Sequence, residues 1–335
     1  MRRVPTWTSD PHRFPRFALL AGPSPLHHLP RFSTALGGRL EVWIKREDLL
    51  PLAFGGNKLR NLEFLVGAAL AEGADCLVTS GRRWSNHARL TAAAGTVAGL
   101  PVHLVLSGPP ADPPNQGVRL DTLLGATVYQ AATDDRAERE SLVEQVVADL
   151  RVAGRRPYLI DVGGTGVTGA LGQVLAGLEL ADGCAANGLR PDDLIVPSAT
   201  GGTQAGLLVG LATAGLATIV RGYAVSRPAT ELAPMIAGIL AELQALPGLT
   251  GVPSDRILVD ERQLGAGYGR PTEAAAEATR LLATTEGILV DPIYTAKALA
   301  GLVALARSGE LDSHIAVFWH AGGTTGLFEP LTGYT

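Results

Sequence analysis

Leu52-Ala-Phe-Gly-Gly-Asn-Lys-Leu-Arg-Asn61 sets one lysine, Lys58, behind a glycine pair and at the start of a helical pattern. Gly55 and Gly56 let the backbone turn tightly and approach a ligand closely. Asn57 is a candidate cap, and apolar Leu59, Leu62, Leu65, Val66, Ala69 and Leu70 recur at helical spacing until Gly73 stops the run. A cation gains nothing from the positive end of a helix dipole. Lys58 therefore reads either as an exposed lysine on an amphipathic helix or as a neutral amine, free or tied up as a Schiff base.

Upstream, residues 1–38 carry Pro5, Pro11, Pro15, Pro23, Pro25 and Pro30, which predicts an irregular arm before a first strand over 40–45. Arg46-Glu-Asp48 ends that strand, placed to stabilise the loop leading to Lys58. Downstream, Cys76-Leu-Val-Thr-Ser80 reads as a short strand. Gly81-Arg-Arg-Trp-Ser-Asn-His-Ala-Arg89 joins it to an alanine-rich helix ending near Gly99, and Val102-His-Leu-Val-Leu106 is the next strand. Such βαβ units place ligand-binding groups at the carboxyl ends of their strands, where Ser85, Asn86 and His87 fall. Ser85 or Asn86 serves equally well as a helix cap. A helical pattern over 115–125, a strand over 127–130, a charged helix from about Asp134 to Val152 and a strand over 158–161 continue the alternation to Gly163-Gly164. With no internal repeat, the whole chain reads as α/β.

A second glycine loop is more specific. Asp193-Leu-Ile-Val-Pro197 makes a buried strand, and Ser198-Ala-Thr-Gly-Gly-Thr-Gln-Ala-Gly206 passes into an apolar helix. Gly201 and Gly202 expose backbone N–H groups, the helix amino end favours an anion, and Thr200 and Thr203 supply hydroxyls. The loop lacks the lysine of a P-loop and the spacing of a dinucleotide fingerprint, so it suits a compact monophosphate better than ATP or NAD. Farther on, Tyr268 lies in a glycine-rich loop and Tyr294, in Asp291-Pro-Ile-Tyr294, precedes another helix. A strand over 315–319 leads into His320-Ala-Gly-Gly-Thr324. Loop tyrosines act as acid–base groups or simply pack.

Composition narrows the function. The 335 residues are 46% apolar and 18% charged with a net charge of −4, a globular chain with no basic block to attract nucleic acid. Cys76 and Cys184 form neither a metal-like spacing nor a disulfide framework, which fits a reducing cytoplasm. Pro197, Gly201, Gly202 and Gln204 interrupt the longest uncharged stretch, so no membrane span is expected.

In order and spacing these pieces resemble the fold-type-II pyridoxal-phosphate enzymes related to the tryptophan synthase β subunit. Within them the chain looks like the branch holding 1-aminocyclopropane-1-carboxylate deaminase, D-cysteine desulfhydrase and L-cysteate sulfo-lyase. The resemblance rests chiefly on Gly-Gly-Asn-Lys-Leu-Arg at 55–60, Ser-Asn-His at 85–87 and Asp-Pro-Ile-Tyr at 291–294. It implies two α/β lobes with open twisted, mostly parallel sheets. Residues 61–164 would form the small lobe, 1–60 and 165–335 the large cofactor-binding one, and two chains a homodimer. It further implies that Lys58 holds pyridoxal 5'-phosphate and later moves the α-proton, that Asn86 meets the ring hydroxyl and that Thr200, Gly201, Gly202 and Thr203 bind the phosphate. Ser85 would hold the substrate carboxylate or relay a proton, with Trp84, Asn86, His87, Tyr268 and Tyr294 around the substrate.

The chain departs from its relatives at telling places. Cyclopropane deaminases have glutamine and glutamate where this chain has His87 and Thr295, so the resemblance favours the cysteine-lyase side. There α,β-elimination from a small amino acid with a β-leaving group, D-cysteine first and cysteate next, gives pyruvate and ammonia. Arg82-Arg-Trp84 replaces the usual glutamine before Ser-Asn, placing bulk and charge beside the substrate carboxylate. Ala321 replaces a threonine poised toward the pyridine nitrogen, leaving Thr295 or Thr324 as its candidate partners. Gly163-Gly-Thr-Gly-Val167 departs from the expected serine–asparagine form at the pocket floor. The alternatives are the cyclopropane deaminase and a non-catalytic cofactor or amino-acid binding protein.

Overall fold

The computed structural model describes residues 14–108, 114–133, 135–311 and 314–329. From the amino end the elements are β1 (Leu26–His28), α1 (Pro30–Ala35), β2 (Glu41–Arg46), α2 (Lys58–Ala71), β3 (Cys76–Arg82), α3 (Asn86–Ala98) and β4 (Val102–Ser107). Then come α4 (Gln116–Leu123), β5 (Thr127–Ala131), α5 (Arg136–Val152), β6 (Pro157–Ile160), α6 (Val167–Ala186), β7 (Asp193–Ser198) and α7 (Gly202–Thr213). The chain closes with β8 (Ile219–Ala224), α8 (Ala229–Gln244), β9 (Leu258–Asp260), α9 (Glu273–Glu286), α10 (Thr295–Ser308) and β10 (Ile315–His320).

The strands form two sheets. One has the order β1-β2-β10-β7-β8-β9 and is parallel except at its β1 edge, and the other, β5-β4-β3-β6, is wholly parallel. Central β7 is buried along its whole length and β10 at all but its first residue. That is why both read in the sequence as unbroken apolar runs rather than as alternating strands. Parallel pairing also carries all the strand ends that matter, Arg82, Ile160, Ser198 and His320, to the carboxyl edges of the sheets.

Helix α2 belongs to both halves. Leu59, Leu62, Leu65, Val66 and Ala69 pack in the core of the four-stranded half, while Phe64 packs with α6 and α7 against the six-stranded sheet. Arg60, Asn61 and Glu63 on this helix are buried as well, and each has partners. Glu63 accepts from Arg16 and from the backbone N–H groups of Leu19 and Leu20. Arg60 donates to Glu47 at 2.5 Å and to Glu179 at 2.9 Å, and Lys45 donates to Glu179 at 2.5 Å. Burial alone would raise the Glu179 pKa, but Arg60 and Lys45 overcome it and hold the carboxyl at about 2. The Arg46-Glu-Asp stretch is thus structural: Glu47, wholly buried, locks the end of β2 to the first turn of α2.

One sequence expectation changes. The arm over 1–38 contains ordered structure, β1 and α1, because Leu29, Phe32 and Leu36 enter the core and Pro30 suits a helical first turn. Pro5 and Pro11 lie outside the described residues. So does Asp134, the expected start of the charged helix. Helix α5 begins at Arg136, where the Asp135 carboxylate accepts from the N–H groups of Ala137 and Glu138. Among the described residues, no helix is long and apolar enough to cross a membrane. Cys76 and Cys184 are buried free thiols whose pKa values burial pushes up to about 11.

Candidate active site

A cavity of about 720 Å³ lies where the carboxyl ends of β3, β6 and β7 meet, bordered by Lys58, Ser85, Asn86, Thr200, Tyr268 and Tyr294 among others. The approach to Lys58 is strained. Leu52, Ala53 and Phe54 have φ of 70°, 44° and 67°, and two glycines with positive φ follow. Left-handed non-glycine residues cost about 1 kcal/mol or more each. Gly55 is forced by contact as well, since a Cβ there would sit 2.2 Å from the Asp48 carbonyl oxygen. This turn delivers Lys58 to the first position of α2, where burial of its amine lowers its pKa to about 8.

Asn57 does not cap α2 with its side chain, as the sequence suggested. Instead its Nδ2 donates to Thr203 Oγ1 at 3.0 Å, while its carbonyl accepts from Gln173 Nε2 at 2.9 Å. The residue before the lysine is therefore bonded to the second glycine loop. Gln173 also donates to Asn61, and Asn61 to the Gly164 carbonyl, so one buried chain of amides joins α2, α6 and the two glycine loops.

The loop after β7 is an anion cradle. Gly201 takes a left-handed conformation and α7 starts at Gly202, leaving the first N–H groups of the helix without intrahelical acceptors. Ser198 Oγ, buried at the end of β7, has no partner among the described residues and borders the same cavity. Across from it, the last strand turns away at Ala321-Gly322. A Cβ on Gly322 would lie 2.5 Å from Gly56 Cα, so glycine there lets the backbone reach the lysine loop.

The Ser-Asn-His stretch opens α3. Ser85 Oγ accepts from the Ala88 N–H at 3.2 Å, which realises the capping role and leaves the hydroxyl proton for the cavity. Asn86 Oδ1 is taken by Arg89, which also donates to the Gly55 carbonyl at 3.2 Å. The amide is thereby oriented, and Nδ2 is the donor left for a ligand. His87 is buried, and desolvation followed by the Lys58 charge lowers its pKa to about 3, so the ring is neutral. Thr79 commits its proton to the Ile160 carbonyl at 2.8 Å and so accepts from His87 Nε2 at 3.0 Å. That fixes the tautomer and leaves Nδ1 as a buried acceptor without a partner among the described residues.

Tyr268 and Tyr294 are hydrogen-bonded hydroxyl to hydroxyl. Burial raises both pKa values, so both stay protonated and the pair keeps one proton to offer. Trp84 lies outside the cavity lining. Its ring stands 6.3 Å from that of Tyr268, centroid to centroid. Thr295 and Thr324 also lie outside the lining. Thr295 is wholly buried in the cap of α10, bonded to the Asp291 carboxylate, and Thr324 opens the 3₁₀ turn after β10. Ala321 borders the cavity where its relatives' threonine was expected.

These residues fit pyridoxal phosphate: an anion cradle with an unpartnered serine hydroxyl, an amine whose pKa burial lowers to about 8 and an oriented amide donor around one cavity. The pyridoxal-phosphate dependent enzyme family matches residues 17–322. The chain belongs to that family. Pyridoxal phosphate is its cofactor. The fold-type-II enzyme closely resembles the crystal structure of an ACC deaminase homologue, with 35% identity, 97% of each chain covered and a TM-score of 0.88. More distant likenesses show the fold alone. They include a threonine deaminase from T.th., 23% identical over 90% of this chain and 92% of that one with a TM-score of 0.67. An L-serine ammonia-lyase from Rhizomucor miehei is 17% identical over 92% and 96% with a TM-score of 0.68.

Sequence reasoning missed several residues of the enzyme's cavity and its support. Ser198 carried a signal, since it ends a buried parallel strand. Gln173 carried a weaker one as a polar residue inside the apolar α6. Arg139, on α5, borders the cavity although its helix reads as a charged surface helix.

Proposed function

We propose that the enzyme is a lyase catalysing α,β-elimination and deamination of a small amino acid with a β-leaving group, D-cysteine being the parent case. The observation that carries this reading is the meeting of a lysine of lowered pKa, a serine hydroxyl and a protonated tyrosine pair on one cavity. When bound, pyridoxal phosphate supplies an electron sink for the charge that develops at Cα.

The protein would do the rest. The N–H groups at the start of α7, with Thr200, Thr203 and Ser198, hold the phosphate, and Asn86 Nδ2 donates to the ring oxygen. Ser85 donates its free proton to the substrate carboxylate. Lys58 anchors the cofactor, then takes the proton from Cα as a neutral base. The tyrosine pair offers its one spare proton to the departing group, so that group leaves protonated. Ala321, standing where relatives' threonine would face the pyridine nitrogen, would offer it neither a carboxylate nor a hydroxyl, which would suit a good leaving group better than a long-lived carbanion.

In this reading residues 61–164 form the small lobe and 1–60 with 165–335 the large one. In support, the four-stranded sheet is confined to 76–160. The enzyme would work as a homodimer in a reducing cytoplasm, in keeping with its free thiols.

The test is the visible spectrum of the holoenzyme with D-cysteine and pyruvate assayed in the same cuvette. A cofactor band that changes as pyruvate accumulates is the expected result, and an unchanged band without pyruvate sinks D-cysteine as substrate. The likeness to an ACC deaminase homologue favours one second reading, deamination of aminocyclopropanecarboxylate. It requires 2-oxobutyrate from that compound. Against it stand His87 and Thr295, neutral residues where that activity's glutamine and glutamate would be.

A further inference from the structure

Arg89 of α3 is 2% exposed, yet among the described residues no carboxylate is bonded to it. Its Nη2 donates to Asn86 Oδ1 and to the Gly55 carbonyl, and its Nη1 has no partner among the described residues. One guanidinium thus joins the start of α3 to the turn that delivers Lys58. The carboxylate whose charge reaches it is Asp121 of α4, itself 1% exposed with Oδ1 unpartnered among the described residues. Burial, opposed by Arg89 and reinforced by the Glu329 charge, pushes the Asp121 pKa up to about 8. Burial lowers that of Arg89, but only to about 10. Near neutral pH the guanidinium therefore keeps its charge while Asp121 is largely protonated and balances little of it. A buried cation in that condition is costly, and an anion entering the cavity would relieve it. Beyond Asn86 the way is clear. A Cβ on Gly56 would come 3.0 Å from Asn86 Nδ2 and one on Gly322 3.4 Å, so two glycines keep this donor open to the cavity that Asn86 borders.

We infer that Arg89 is the counter-charge of the cofactor's ring oxygen, a positioning residue that acts through Asn86 and keeps that oxygen anionic. This rests on the assignment of Asn86 Nδ2 to the ring oxygen and goes beyond it. A cation on the amide oxygen both orients the amide and polarises it, which strengthens its N–H as a donor. The charge itself would lie one amide and two hydrogen bonds away, about 7 Å, where it favours the anion by roughly 10- to 50-fold. The proton between the ring oxygen and the Lys58 nitrogen then stays on nitrogen. Ala321 would leave the pyridine nitrogen without help, and an unprotonated pyridine makes its ring hydroxyl a weaker acid. Arg89 compensates from the oxygen's side.

The test is the absorption spectrum of the holoenzyme without substrate. A proton on nitrogen gives the long-wavelength cofactor band, and a proton on the ring oxygen gives the short-wavelength one. The long-wavelength form should dominate in the wild type. Arg89→Gln keeps a donor for Asn86 but no charge, and it should lower the ratio of the two bands by about 10-fold or more. Arg89→Lys keeps the charge and should restore most of the ratio. The cofactor Kd, measured by dialysis, should rise in Arg89→Gln and recover in Arg89→Lys. Asn86→Asp leaves Arg89 in place and spends its charge on a new carboxylate, so the ratio should fall further there than in Asn86→Ala.

An unchanged ratio in Arg89→Gln, or equal ratios in Arg89→Gln and Arg89→Lys, would mean that the arginine only supports the fold, and the inference falls. So does a fall in Asn86→Asp no greater than in Asn86→Ala, a comparison that stands even if the Arg89 variants do not fold. If Asn86→Ala leaves the ratio at the wild-type value, the assignment of Asn86 to the ring oxygen falls as well. The lyase reading is decided by product formed from substrate, which none of these spectra involves.

Discussion

On the six-stranded side of the cleft, the glycine loop proposed to hold the phosphate is held from behind by side chains that are themselves held. Asn57 bonds Thr203, Gln173 bonds Asn57, and the buried Glu47–Arg60–Glu179 group locks the helix that carries Asn57 and Lys58. On the four-stranded side, Arg139 is nearly as buried but has one side-chain bond to show for it, and the two tyrosines at the cavity, carried by the loops before α9 and α10, are likewise bonded chiefly to each other. The contrast matches what each wall must do. A resident cofactor rewards a finished, preorganised surface, whereas groups meant for a passing substrate must stay unsatisfied until it arrives. Stability should therefore depend on the first wall and discrimination between ligands on the second.

Lys58→Ala breaks that contrast most severely. It should erase the covalent cofactor band and lower activity by about 10²- to 10⁴-fold or more, measured by spectrum and steady-state rate. The lysine also gives a pH signature in the apoprotein. Its folded pKa of about 8 lies below the ordinary 10.5, so the unfolded chain holds the proton over that interval and the term favours folding increasingly as pH rises from 8 to 10.5. Cofactor capture needs the neutral amine. Its rate should climb about tenfold per pH unit below 8 and level off above, and a rate that still climbs about tenfold per unit from pH 8 to 10 would refute the lowered pKa.

Glu47→Ala tests the finished wall. It takes away one of the two carboxylates that hold buried Arg60 and should cost about 3–5 kcal/mol, read as a fall in Tm of roughly 5–15 °C. Arg139→Met on the other wall removes a buried charge with no carboxylate bonded to it, and Tm should stay level or rise. Equal losses from the two substitutions would erase the distinction drawn between the walls. A smaller effect is expected from Asn57→Ala. Losing the bond to Thr203 should weaken the cofactor by about 1–2 kcal/mol, or roughly 5- to 30-fold in Kd, measured by dialysis against the cofactor band.

The finished wall was also the legible one. Lys58 and the cradle at 200–203 are placed by backbone rules, a glycine turn into a helix start and a buried strand ending in a glycine loop, and such rules act on neighbours in sequence. Ser85 was legible as a cap because a residue at a strand end opens the next helix, and that place also borders the cavity. Partners more than a hundred residues apart left no such mark. Asn57 was read as a cap because Thr203, its actual partner, is 146 positions away. Arg139 sits in Arg136-Ala-Glu-Arg-Glu140, which looks solvated from end to end until the fold turns one arginine inward. Thr295 shows the opposite error. A hydroxyl beside Tyr294 invites a role toward the cofactor, but Asp291, four residues back, uses it in the helix cap.

Lys297 offers the finest test, because it sits behind the tyrosine pair. Its Nζ donates to the carbonyls of Leu264 at 2.7 Å and Gly267 at 2.9 Å, the second of these immediately before Tyr268. Burial lowers its pKa to about 8, and the amine bonds both oxygens in either protonation state. Lys297→Met leaves two carbonyls unbonded and frees the loop that holds Tyr268 against Tyr294. The expected result is a rise in KM of about 3- to 10-fold with a smaller change in kcat, since Lys297 itself lies outside the cavity lining. Tyr268→Phe removes the hydroxyl directly. If Lys297 acts by placing that hydroxyl, the double variant should be little worse than Tyr268→Phe alone, because the interaction being misplaced is already gone. Strict additivity of the two changes would mean that the lysine supports the fold there and not the tyrosine pair.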